Sequence, residues 1–515
     1  MTSSTSNAQA AVSAEREAGL AGTPPPGAAA SASRGASASN VMTPPRTLWS
    51  RFIILLLCLA VVLSTLAFGT VHSWSLGFFQ AGAALVVALW AMDAWRTGVL
   101  RLSRNVLQLP LLGLAAVGLL QLLPLGAAGA GGAVSYDPYA TRLVLVQLVP
   151  LFVYFAAALA FVDTPGRLRL LTRTVVVFGF VLALFGLMQH FINPATIFWV
   201  REPKQAQPFG PYVNRHHFAG YMELTLAIPL GLLFAGAVGR ERTPLYAFAA
   251  AIMAVALVMT NSRGGIISMA AEIFFLAVVA FALRRRRSEG EGRGARVRAA
   301  AAGAALALVL VFAALLGSLY FGGEDALSRL VGTVNAADPT TGRSHFWRGT
   351  LEMIKDHPLL GVGLGAFSDA YPRYDTGGGT YRLEQAHNDY LQILSDAGIV
   401  GGLLGLVFVV ALFRVAFRRV QSRDKFRRGV ALGALSGCAG VLVHSFFDFT
   451  LHTAANGLLF LVLAALATAG GHVEEAHDRR GRRRRRRSGS GGERTDGRGG
   501  GTPEESAPDR QPAAA

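Results

Sequence analysis

The sequence predicts an all-α, polytopic membrane protein of about twelve transmembrane helices with one large outer loop. Three observations carry this. Of the 515 residues, 52% are hydrophobic and only 15% charged, and the mean hydropathy is +0.42; a soluble globular chain has a different balance. The apolar residues fall in runs of the roughly 20 residues that a helix needs to cross a bilayer. The net charge of +17 sits in short Arg and Lys clusters between those runs. That distribution belongs to membrane topology rather than to a nucleic-acid surface, and no nucleic-acid partner is expected.

Residues 1–46 are rich in Ala, Ser, Gly and Pro and are expected to form a disordered cytoplasmic tail. They lack the charged-then-apolar build of a cleavable signal, so the first apolar run should remain as an anchor. The membrane domain is expected over 47–472, with spans near 51–71, 74–92, 106–125, 143–162, 174–192, 217–238, 244–260, 264–283, 299–321, 391–413, 429–447 and 454–470. The seventh is short, and the third carries Pro110 and Pro124. With the N-terminus in the cytoplasm, the inner loops hold Arg96, Arg101 and Arg104; Arg167, Arg169 and Arg173; Arg240 and Arg242; "RRRR" at 284–287; and "RVAFRRVQSRDKFRR" at 414–428. Every one is basic, as the positive-inside rule requires. An even number of spans also keeps the 473–515 tail, with "RRGRRRRRR" at 479–487, inside; such a tail is drawn to anionic lipid. Both termini of a multi-pass inner-membrane protein are thus placed in the cytoplasm. Cys58 and Cys438 lie inside apolar runs and offer neither a disulfide framework nor metal spacing.

Two outer connections, 193–216 and 322–390, are too long to be simple turns. In the larger, Phe346, Trp347, Thr350, Leu351 and Ile354 recur at helical spacing, so 344–356 reads as an amphipathic helix lying on the outer membrane surface. Pro358 and the glycines at 361, 363 and 365 end it, and "TGGGT" at 376–380 predicts a flexible strip. "GVGLG" lacks the GxxxxGK[ST] pattern of a phosphate loop and reads as a turn.

Polar residues recur at the outer ends of these helices. Arg215 precedes the sixth span, Arg263 lies between the seventh and eighth, Arg343 opens the amphipathic helix, and His387 precedes the tenth span. His444 and Asp448 lie at the outer end of the eleventh. Polar side chains at such depth usually face a protein interior or a water-filled cavity. Each also fits a simpler role: Arg263 a snorkelling residue, Arg215 a lipid-phosphate contact, Arg343 an outward-facing position, His387 a cap or hydrogen-bond partner, and His444 with Asp448 a buried structural pair. Asn388 and Asp389 fit a helix N-cap better than a catalytic role.

Several arginines in one cavity suit a polyanion such as a diphosphate, because each is planar, permanently charged and multi-donor. A histidine beside them can take a proton near neutral pH. Together they fit glycosyl transfer from a lipid-diphosphate sugar to a hydroxyl, with the base deprotonating the attacker and the arginines stabilising the departing diphosphate. No convincing carboxylate pair for a glycosidase is visible, and no compact metal motif, so a metal-independent reaction without cofactor is expected.

At "GRSHFWRGTLEMIKDHPLLGVGLGAF" (342–367) and "AHNDYLQILSDAGIVGG" (386–402), with "TNSRGG" and "HSFFDFTLH" elsewhere, the chain resembles the O-antigen ligase/polymerase family of bacterial membrane glycosyltransferases. The resemblance implies a GT-C-like helical fold with a large periplasmic loop. It also implies glycan transfer from undecaprenyl diphosphate to lipid A-core, a growing polysaccharide or a protein hydroxyl. It implies the base role for His387 and diphosphate-binding roles for Arg263 and Arg343, with Arg215 a looser match. Asn388, Asp389, His444 and Asp448 would support them. "DAGIVGG" would allow close helix packing. A transporter and a noncatalytic component of polysaccharide export remain the competing classes.

Overall fold

Backbone polar groups inside apolar surroundings are satisfied within a helix, and the chain uses that solution throughout. The computed structural model describes residues 47–124, 133–204, 206–287, 343–376 and 382–469. Both tails, the expected ninth span at 299–321, most of the first part of the large loop and most of the "TGGGT" strip lie outside the described residues. Among the described residues there are thirteen α-helices and no strand, only the isolated bridges pairing Ile197 with Arg201 and Phe209 with Tyr212. The helices are α1 (Leu48–Leu66), α2 (Ser73–Thr97), α3 (Gln108–Gln121), α4 (Pro138–Phe161), α5 (Pro165–Ile192), α6 (Arg215–Phe234), α7 (Thr243–Met259) and α8 (Arg263–Arg287). They continue with α9 (Arg343–Asp356), the short α10 (Phe367–Ala370), α11 (Asp389–Val420), α12 (Lys425–His444) and α13 (Ala454–Thr468).

Eight of them, α1, α2, α4, α5, α6, α8, α11 and α12, are long and apolar enough to cross a membrane. Three apolar helices are shorter: α3 with 14 residues, α7 with 17 and α13 with 15. These eleven coincide with eleven of the expected spans. Several starts are fixed by side-chain caps, which satisfy the free N–H groups of a first turn: Thr47 for α1, Asp137 for α4, Thr164 for α5, Asn214 for α6, Asn388 for α11 and Asp424 for α12.

The centre of the bundle is α6 packed against α12. The most apolar window of α6 is 94% buried, against 22% for those of α2 and α11. Glycine makes this crossing possible: a Cβ on Gly231 would lie 2.3 Å from the Gly433 nitrogen, and one on Gly433 would lie 2.5 Å from the Ala227 carbonyl oxygen. In the connections after α2 and α4, part of the basic charge is paired. Arg101 Nε lies 3.0 Å from Asp93, and Asp163 bridges Arg101 at 3.3 Å and Arg167 at 2.9 Å.

The segment from α9 to α11 is built into the bundle. α9 buries Gly349, Thr350 and Met353, and Trp347 Nε1 donates to the Ala386 carbonyl at 3.0 Å. The "GVGLG" turn then wedges into α11, which is not continuous as expected: Gly398 adopts φ 63° and ψ −163° and interrupts it. The gap is filled by main-chain bonds, Val362 N–H to Ser395 O at 2.8 Å, Gly363 N–H to Asp396 O at 3.1 Å and Ile399 N–H to Pro358 O at 2.8 Å. Buried Gln121 of α3 pins the same junction, donating to Leu360 O at 2.6 Å and Asp396 O at 2.8 Å and accepting from Leu364 N–H at 2.9 Å.

Candidate active site

The starts of α6, α8, α9 and α11 meet the segment that follows α12. Asn214 accepts from His216 N–H at 2.8 Å, which sets Arg215 as the first residue of α6. Asn261, at φ +54°, turns the chain before α8, and Gly264 in its first turn sits against Phe447 and His444. A Cβ there would lie 2.9 Å from Phe447 Cβ and 3.2 Å from His444 Nε2. Arg343, at the start of α9, donates from Nη1 to the Phe447 carbonyl. The 444–448 turn is therefore touched by α8 on one side and α9 on another.

Asp448 is the hub. Its side chain is 2% exposed. His387 Nδ1 lies 3.4 Å from Oδ1, while Arg343 Nη2 at 3.9 Å and His216 Nδ1 at 3.8 Å approach Oδ2. The Phe449 N–H also donates to Oδ1 at 2.9 Å. Burial by itself would raise the Asp448 carboxyl, but His387 opposite it and the charges of His216 and His217 outweigh that and hold it well below the usual carboxylate range. It is an anion that orients two imidazoles and a guanidinium.

His387 is about one-third exposed, so one edge reaches solvent while Nδ1 faces Asp448. Its ring lies edge-on to Phe449, with centroids 5.0 Å apart. Its backbone, at φ +50°, occupies the left-handed region that costs a non-glycine residue of order 1–3 kcal/mol. Bonds on both sides hold it there: Ala386 N–H to Gln392 Oε1 at 2.7 Å and Asp389 N–H to Ser445 O at 2.8 Å.

Of the residues singled out in the sequence, His387, Arg343 and Asp448 are brought together directly. Arg263 stands beside the 444–447 turn through Gly264, and Arg215 adjoins His216; both are half-buried. Asn388 is the N-cap of α11, accepting from Tyr390 N–H at 3.0 Å and Leu391 N–H at 3.1 Å. Asp389 is not the cap. It accepts from Ser445 Oγ at 2.8 Å and pairs with His452 Nε2 at 3.3 Å, tying α11 to the segment after α12. His444 turns away from this cluster into the bundle, where its Nδ1 meets Glu223 Oε2 at 3.1 Å.

His216, which no motif in the sequence singles out, is a further member of the cluster. It touches Asp448 and lies 2.8 Å from Ser262 Oγ, whereas its neighbour His217 is buried against Phe449. One helical residue is a 100° rotation, so only one of two adjacent histidines can face the cluster. Among the described residues, no three or more His, Cys, Asp or Glu side chains converge as metal ligands.

Comparison with known proteins bears on this region. Residues 248–406 match the family model described as O-antigen ligase. The resemblance read from the sequence is thus supported over that stretch, which matches the model of that family. It includes Arg263, Arg343 and His387 and ends before Asp448. The chain is also similar to the "Exopolysaccharide production protein ExoQ" of Rhizobium meliloti (strain 1021), 25% identical over 146 residues, covering 27% of this chain and 32% of that relative. The chain thus matches about a third of the relative's length.

Proposed function

We propose that the protein transfers glycan from an undecaprenyl-diphosphate-linked donor to a hydroxyl acceptor at the periplasmic face of a bacterial inner membrane. The acceptor class is a growing glycan, lipid A-core or a protein hydroxyl. Residues 47–472 form the GT-C-like transferase domain, 322–390 its periplasmic loop, and both tails are cytoplasmic. The observation that carries this reading is the pairing of His387 and Arg343 on the two oxygens of one buried carboxylate.

With Asp448 anionic, His387 carries its proton on Nδ1 and keeps Nε2 free as the base. The acceptor hydroxyl attacks the anomeric carbon and its proton passes to Nε2. The bond from that carbon to the diphosphate oxygen breaks, and the diphosphate leaves on its lipid. Arg343, with Arg263 and Arg215, meets the charge that develops on the leaving group. The positive charge at the leaving group comes from guanidinium, so the reaction is written without a metal ion. The wording of the ExoQ name favours an exopolysaccharide as the product.

The test is a reconstituted assay with a lipid-diphosphate oligosaccharide. His387→Ala should insert normally and lose about 10²–10⁴-fold in transfer. Undiminished transfer would overturn the reading and favour a noncatalytic component or a transporter.

A further inference from the structure

Two acids inside the bundle take no part in the outer cluster. Glu223 of α6 and Glu272 of α8 are both 0% exposed, in helices long and apolar enough to cross a membrane. Glu223 Oε2 accepts from Ser268 Oγ and lies 3.1 Å from His444 Nδ1. Its second oxygen, both oxygens of Glu272 and His444 Nε2 are buried without a hydrogen-bond partner. Glu272 reaches toward α12, where a Cβ on Gly440 would lie 3.4 Å from its Oε2, and its charge opposes that of Glu223. Among the described residues, His444 is the one basic side chain paired with either acid.

One imidazolium balances one carboxylate. A second carboxylate left ionised in the same dry layer is strongly disfavoured, so one of the two acids is held in its neutral, protonated form. We propose that Glu223, Glu272 and His444 form a buried proton-binding site, in which Glu272 carries the proton and Glu223 with His444 forms an ion pair. No bond other than O–H or N–H is made or broken. The site adjoins the outer cluster through the chain itself: the His444 carbonyl accepts from Phe447 N–H at 2.7 Å and Asp448 N–H at 3.0 Å. Locking the His444 ring onto Glu223 therefore anchors the turn that carries Asp448. The inference does not depend on which reaction the outer cluster performs.

Infrared difference spectra of the purified full-length protein in H2O and D2O test it. Wild type should show a protonated-carboxyl stretching band that is lost in Glu272→Gln, and this neutral isostere should keep the wild-type melting temperature. If no band is lost in Glu272→Gln, the proposal fails. Stabilisation by sodium chloride but not choline chloride would also overturn it, in favour of a bound cation. Should Glu272→Gln fail to insert, Glu223→Gln replaces it: removing the neighbour should shift the same band, and an unshifted band overturns the proposal.

Discussion

Asp448 gathers side chains from three places in the chain, and its low carboxyl pKa is the electrostatic mark of that role. The sign follows directly. A carboxyl whose folded value lies below its unfolded value contributes stability above the unfolded value and loses it as pH falls through the folded one. Asp448→Asn leaves the Arg343 guanidinium facing a neutral amide, and removing one partner of a buried pair costs about 3–5 kcal/mol. The melting temperature of this variant should fall below wild type at neutral pH, and the gap should narrow only under acid, below about pH 4. An equal gap at pH 3 and pH 7, followed by scanning fluorimetry, would contradict the assignment. At this scale Arg343 and His387 were legible as polar interruptions of an apolar pattern at helix ends, and both lie on Asp448. Glu223 and Glu272 break apolar runs too, but inside the helices rather than at their ends. The partners of His444 and Asp448 were not readable, since spacing along a chain does not say which way a helix-end side chain turns.

Helix positions were legible to within a few residues because a bilayer-length apolar run admits little but a helix. The amphipathic stretch expected at 344–356 is α9 at Arg343–Asp356. The break in α11 was not legible. "DAGIVGG" signalled close packing, but what packs there is the backbone of the "GVGLG" turn, a neighbour distant in sequence. A Cβ on Gly398 would sit 2.2 Å from the Leu359 carbonyl oxygen, at a backbone conformation reserved in practice for glycine. Gly398→Ala should therefore destabilise by more than the roughly 1–3 kcal/mol of the conformational term alone. Gly405→Ala on the same helix meets nothing within 4 Å and serves as the control. Comparable melting temperatures for the two variants would show that the break is dispensable.

At the scale of the whole molecule, the two most buried of the eight long apolar helices, α6 and α12, border the Asp448 cluster. α6 supplies Arg215 and His216 at its start, and α12 leads into the 444–448 turn at its end. The fold class followed from composition, since a chain so apolar admits little but a helical bundle. The number of crossings did not follow, because α3, α7 and α13 are shorter than a perpendicular span and length alone does not decide them. Topology is directly testable. Cys58 and Cys438 are buried, so a cysteine-free background is readily made by conservative substitution. Single cysteines replacing Arg240 and Arg373 should react with a membrane-impermeant maleimide from opposite faces, Arg373 from outside in intact cells. Labelling of both from one face would dismantle the arrangement.

Gln121 lies in α3, more than 200 residues before the turn it holds, and its amide is shared among Leu360, Leu364 and Asp396. The segment from 343 to 402 is in this sense stitched to the bundle rather than perched on it. It is no detachable module: a peptide excised from 343–402 would leave its fastening behind, and reagents raised against such a fragment would meet a shape the intact protein does not present.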